Sequence, residues 1–137
     1  MSPISRTFLS LSAAILLLAT ALGAYASHGL AAHADAATVR AFGSAVDYQF
    51  FHGLGLLAVA ILTELKPQIR LFRVAGWLLV IGIALFCGSI YATAFGAPAS
   101  LGGGAPLGGT AFMAAWLMLA LGAWTAGRGA RPTDPLA

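Results

Sequence analysis

Lys66-Pro67-Gln68-Ile69-Arg70-Leu71-Phe72-Arg73 is the stretch whose reading decides the fold. It holds three of the chain's seven Lys and Arg residues and separates two long apolar runs. Working outward, Arg6 precedes the first apolar run, and Arg128 and Arg131 follow the fourth. Arg40 alone falls between the first run and the second, and the gap between the third and fourth has no basic residue. On a path that crosses a membrane four times, six basic residues therefore share one side. Cytoplasmic loops retain Lys and Arg, so both termini are expected in the cytoplasm.

Composition points the same way. Of 137 residues, 60% are hydrophobic and 8% charged. An ordinary soluble domain is roughly 25% charged. A soluble fold of this length cannot hide so much apolar surface, whereas lipid covers it. The net charge of +3 is no nucleic-acid signature. The basic residues sit at helix ends, where they anchor to lipid headgroups and set topology. Membrane lipids are the expected partners, and nucleic acid is not. The lone Cys87 excludes an intrachain disulfide and any cysteine-based metal motif.

The pattern predicts an all-α, four-transmembrane-helix bundle in one domain, 1–137. The helices are expected at about 6–26, 36–65, 71–95 and 107–126, with a polar tail over 127–137. Ala24-Tyr25-Ala26 resembles a signal-peptidase site. The apolar run before it is about 19 residues, however, longer than the roughly 7–15 of a signal peptide, so it reads as a true span. Gly29 is expected to end this first helix, and Asp35 to cap the second. Ala19, Gly23 and Ser27 recur four apart and form a candidate helix-packing row, either within the monomer or toward a partner. Gly82, Gly88 and Ser89 are further close-packing points on the third helix.

The second helix, at about 1.5 Å per residue, spans roughly 45 Å, more than a roughly 30 Å hydrocarbon core. Its first two turns must leave the bilayer or lie in the interface. There Val39, Phe42, Val46 and Phe50 follow one face, and Arg40, Ser44, Asp47 or Tyr48, and His52 another. Pro67 ends the helix.

His28, His33, Asp47 and His52 are the residues that could ligate a metal. Depth opposes one site from them. His52 lies about 21 Å above Lys66, and His28 about 33 Å above Arg6, by the helical rise. A haem held by both meets the same mismatch. His52 alone is more informative, because it falls inside the hydrocarbon zone and must find partners in the bundle. Tyr48 is one turn before it, and Ser89 lies at nearly the same level. A Tyr48–His52–Ser89 hydrogen-bond cluster is the structural expectation, and a proton or substrate path through His52 the functional one. The glycine-rich run 101–109 lacks the Lys and Ser/Thr of a phosphate loop and follows no strand, so it reads as a turn. No nucleophile–base pair or carboxylate pair stands out. No catalytic residue, cofactor site or metal site is assigned.

Four elements carry a resemblance. Gly23-Ala24-Tyr25-Ala26-Ser27-His28-Gly29-Leu30, Ala45-Val46-Asp47-Tyr48-Gln49-Phe50-Phe51-His52, Gly88-Ser89-Ile90-Tyr91 and Pro106-Leu107-Gly108-Gly109 stand in this order, with Trp116 beyond. The chain thereby resembles the domain-of-unknown-function 423 family, the YgdD-like small inner-membrane proteins related to a mitochondrial transmembrane protein. Ala105 stands where the family's loop motif has Thr. The resemblance implies a multi-pass protein of the bacterial inner membrane and brings no catalytic residue with it. The leading expectation is a non-enzymatic protein acting through helix contacts, as an accessory or assembly subunit of a larger membrane complex or as a homo-oligomer. The alternative is a small transporter or proton-linked carrier using His52. Metal or haem binding by the histidines ranks third.

Overall fold

The structure, a computed structural model, describes residues 1–128. Four long helices account for most of them: α1 (Pro3–His28), α2 (Ala36–Leu65), α3 (Arg70–Ala94) and α4 (Gly104–Arg128). Each is long and apolar enough to cross a membrane. Short 3-10 turns, Leu30–Ala32 and Ala99–Gly103, sit in two of the connectors. Among the described residues there is no strand. The expected polar tail lies, from residue 129 on, outside the described residues.

The helix ends have local causes. Ser2 caps α1 by accepting from the Ser5 amide at 3.3 Å, with Pro3 at the first helical position. Asp35 caps α2 by accepting from the amides of Ala37 at 2.8 Å and Thr38 at 2.9 Å. The Thr38 amide and hydroxyl, then the Ala37 amide, hold this exposed carboxyl below its ordinary value. Pro67 follows the last residues of α2, and a four-residue connector turns the chain into α3. Gly29 does follow α1, but in right-handed geometry, φ −90° and ψ −59°. Glycine is needed there for space instead: a Cβ would sit 2.6 Å from the Tyr25 ring.

Successive helices run antiparallel. The Ser2 amide donates to Glu64 Oε2 at 2.7 Å, tying the start of α1 to the end of α2. Gly108, early in α4, faces Phe86 and Gly82 of α3, and Gly122, late in α4, faces Phe72. The start of α1, the 66–69 connector and the end of α4 therefore share one end of the bundle. Arg6, Lys66, Arg70 and Arg73 gather at that end.

α2 and α3 form the centre, with α1 packed on α2 and α4 on α3. The main core contains Phe8, Leu56, Val59, Leu79, Ile83 and Phe112. A second cluster at the opposite end joins Leu30, Phe42 and Val46 to Tyr25 and Tyr91. The inward face of α2 runs through Phe42, Val46, Gln49, Gly53, Leu56, Ala60 and Thr63, at helical spacing. Its outward line carries Arg40, Ser44, Asp47, Phe51, Leu54, Ile61 and Glu64, all exposed.

Glycine packing corrects two expectations. α4 begins at Gly104, not at 107. Gly104 and Gly108, one turn apart, are a face of close approach and not a turn. A Cβ on Gly104 would lie 3.0 Å from the Leu85 carbonyl, and one on Gly108 only 2.4 Å from the Phe86 nitrogen. Gly82 answers them from α3, where the Phe112 ring fills the space a side chain would occupy. Gly88, expected as a packing point, has nothing within 4 Å of where its Cβ would be. The helices close on its neighbours instead, Cys87 against Ala45 and Ser89 against Gly104.

Candidate functional site

The bundle is fastened by side-chain hydrogen bonds to helix carbonyls, as expected where lipid offers no partner. Ser5 Oγ donates to the Ala60 carbonyl at 2.7 Å and Ser12 Oγ to the Gly53 carbonyl at 2.8 Å, both from α1 to α2. Cys87 Sγ donates to the Ala45 carbonyl at 3.3 Å, from α3 to α2. Gln49 is the hub. Its Nε2 donates to the Ile15 carbonyl of α1 at 2.9 Å, and its Oε1 accepts from Tyr91 of α3 at 2.8 Å. Three helices meet at one fully buried amide.

Sequence reasoning did not single out Gln49. A usable signal was present: it falls in register with Phe42, Val46 and Leu56 on the inward face. A polar residue on such a face must be paired.

His52 sits one turn further along α2, turned toward α4 instead. It is 7% exposed. Its Nδ1 lies 2.7 Å from the Tyr48 carbonyl oxygen. A carbonyl only accepts, so this contact assigns the proton of the neutral ring to Nδ1 and leaves Nε2 as an acceptor. The ring is stacked on Phe112 with centroids 3.5 Å apart and a 14° interplanar angle. Tyr48 stacks at 5.6 Å and Trp116 tilts at 6.1 Å. Phe86 of α3 closes the far side, 4.7 Å from Tyr48. These five rings border a cleft of about 360 Å³ that Met113, Gly109, Thr110 and Pro106 of α4 complete.

The expected triad is thus only partly assembled. Tyr48 and His52 meet, but through a backbone carbonyl and ring stacking. Ser89 stands apart: its Oγ donates to the Phe86 carbonyl of its own helix at 3.0 Å. It faces Gly104 at the start of α4, whereas His52 meets α4 two turns later at Phe112. Aromatic rings occupy the place where a polar partner was expected.

The small-residue row on α1 also divides. Ala19 is fully buried, and a Cβ on Gly23 would touch Val46 of α2 at 3.4 Å. Ser27 is exposed and donates to the Gly23 carbonyl at 3.2 Å. Ala19 and Gly23 therefore pack within the monomer. The face that α1 turns outward is a different one, with Ser10, Ala13, Ala14, Ala21 and Ala24 exposed.

Among the described residues no three His, Cys, Asp or Glu side chains gather as a metal site. His28 and His33 are exposed, and Asp47 lies on the outward line of α2.

Fold and site together define a small, helical, four-span membrane protein whose polar side chains mostly serve its own packing. Residues 22–109 match the family described as "Protein of unknown function (DUF423)", and the chain belongs to it. It is similar to the UPF0382 membrane protein YwdK of Bacillus subtilis, 37% identical over 118 residues, which cover 86% of this chain and 96% of that one. The UPF0382 membrane protein of Haemophilus influenzae is 37% identical over 117 residues, 85% of this chain and 93% of its own. The UPF0382 inner membrane protein YgdD of Escherichia coli is 30% identical over 119 residues, 87% of this chain and 90% of its own. No solved structure matches.

Proposed function

We propose that this protein is a non-enzymatic, multi-pass component of the bacterial inner membrane, with both termini in the cytoplasm, that acts through helix contacts as an accessory or assembly subunit. One observation carries the reading: α1 directs small side chains out of the bundle. Ser10, Ala13, Ala14, Ala21 and Ala24 are exposed, with only Leu17 and Leu18 as large residues between them. Small residues let a second helix approach closely, and in lipid such packing, not hydrophobicity, drives association. The inner-membrane placement leans on the printed name of the Escherichia coli relative. The orientation leans on the basic end of the bundle.

A proton path through His52 is the weaker reading. The rings around it belong to Tyr48, Phe86, Phe112 and Trp116, which offer no chain of titratable groups toward the basic end.

The test pairs two substitutions on neighbouring residues of α1 with a mild-detergent pulldown from native membranes. Ala24→Leu should abolish a specific partner or homo-oligomer and leave the monomer folded, because Ala24 is exposed. Gly23→Leu should disturb the fold itself: a Cβ there already reaches ordinary contact with Val46 at 3.4 Å, so the rest of the leucine side chain has to displace it. Unchanged assembly in Ala24→Leu, Ala14→Leu and Ala21→Leu together would remove the case for α1 as a contact face.

A further inference from the structure

The His52 cleft contains a hydrogen-bonding group that the bundle leaves without a partner. Nδ1 is engaged by the Tyr48 carbonyl, and Nε2 meets no hydrogen-bond partner among the described residues. Among those residues no fully occluded side-chain nitrogen or oxygen lacks a partner. Nε2 is therefore not fully occluded, and the space it opens to is the cleft its ring lines. The residue is nevertheless 7% exposed, so only something inside the cleft can reach it. At about 21 Å from the basic end by the helical rise, the surrounding medium is hydrocarbon, which cannot donate a hydrogen bond.

The walls specify the rest of an occupant. Tyr48 and Trp116 are exposed and offer ring surface, Trp116 at the deeper end, whereas Phe112 is buried behind the His52 ring. Flat rings stack on such walls. The volume of about 360 Å³ lies within the roughly 300–1,000 Å³ of small-molecule sites. The cleft is short, following one turn of α2 from Tyr48 to His52, so it suits a headgroup and not a whole helix. An acyl chain has no donor for Nε2, and a fatty-acid carboxylate is itself an acceptor. A phenolic hydroxyl on a ring with an apolar tail meets every requirement.

We infer that the cleft between α2 and α4 is a binding site for a membrane-dissolved hydroquinone-type lipid, whose hydroxyl donates to His52 Nε2 while its ring lies against the exposed rings of Tyr48 and Trp116. The inference goes beyond the accessory reading and is independent of it, since no α1 residue lines the cleft. The proposal concerns binding alone.

The test uses the full chain in lipid nanodiscs, with Trp77→Phe and Trp124→Phe leaving Trp116 as the single indole of the three. Decyl-hydroquinone is titrated against Trp116 fluorescence, with decylbenzene as the hydroxyl-free control. Saturable quenching by the hydroquinone is expected, with decylbenzene about tenfold weaker, the worth of one hydrogen bond. His52→Phe keeps a ring for stacking and should weaken hydroquinone binding by a similar factor. Gly109→Phe should remove the saturable component. It lines the cleft, and nothing lies within 4 Å of its Cβ position, so the bundle accommodates the new side chain. Equal affinity for decylbenzene would overturn the role of Nε2, and saturation unchanged in Gly109→Phe would overturn the site. Recovery of a protein segment crosslinked inside the cleft would also overturn it. None of these results depends on whether the pulldown finds a partner.

Discussion

Replacing Gly108 with alanine should push α3 and α4 apart, although the same change one residue later should be harmless. The new methyl group of Gly108→Ala would lie 2.4 Å from the Phe86 nitrogen, 2.7 Å from the Phe86 Cβ and 2.8 Å from the Gly82 carbonyl. Two of these three atoms are backbone, so no rotamer change relieves them. Restoring an ordinary contact of 3.4 Å from 2.4 Å requires about 1 Å of helix displacement. That shift would also loosen the Phe112 ring from its seat on Gly82. Overpacking of this kind costs typically about 1–3 kcal/mol, and the backbone clash puts Gly108→Ala at about 3 kcal/mol. Gly109→Ala meets nothing within 4 Å and should stabilise α4 by about 0.5–1 kcal/mol, through the loss of glycine's backbone freedom. Reversible unfolding in mixed dodecyl sulfate micelles, followed by circular dichroism, would measure both. Gly108→Ala as stable as Gly109→Ala would refute the close approach of the two helices.

Three further expectations follow from the same geometry. Gln49→Leu removes one hydrogen bond to α1 and one to α3 and strands the Tyr91 hydroxyl; the loss should be about 1–2 kcal/mol in the same unfolding assay, and a change under about 0.5 kcal/mol would contradict the hub. Asp35→Ala should speed hydrogen exchange at the amides of Ala37 and Thr38 at neutral pH, and exchange equal to wild type would speak against the cap. In the wild type the Asp35 carboxyl is held below 3.8, so its contribution is complete above that value and fades as pH falls through the lowered one; a cap lost on raising the pH would have the wrong sign. A C-terminal reporter that works only in the cytoplasm should be active, and activity from a periplasm-only reporter instead would invert the orientation.

The spans were legible because lipid imposes a simple rule on long apolar runs. Pro67 and Asp35 marked their ends by local chemistry that needs no tertiary context. The start of α4 was misread because Gly104 and Gly108 carry the composition of a turn. Only the opposing Phe86 and Gly82 backbone reveals them as a packing face. For His52, helical spacing correctly brought Tyr48 beside it. Its partners on other helices could not be read the same way. Counting from the basic residues put Ser89 at nearly the level of His52, but α3 lies in a different register: Cys87 and Tyr91 meet Ala45 and Gln49, and Ser89 meets Gly104, two turns of α4 before Phe112. Ala19 and Gly23 illustrate the same ambiguity. Their spacing showed that a helix approaches, and only the contact with Val46 identifies α2 as that helix.

The outward line of α2 has a consequence for the bilayer itself. Asp47 and Glu64 are both exposed on that line, with Phe51, Leu54 and Ile61 between them. The two carboxylates are 17 positions apart in the sequence, about 25 Å at the helical rise, against a hydrocarbon layer of roughly 30 Å. Aspartate is too short to extend far toward a distant interface. Tilting would shorten the span further, so lipid must yield: hydrated headgroups dip toward Asp47 and the leaflet thins locally by about 5 Å. The stretch of α2 between the two carboxylates, though not the whole helix, therefore acts as a ruler shorter than the hydrocarbon layer. Lipids with shorter acyl chains should collect along this flank, and thick bilayers should disfavour the protein as it stands alone.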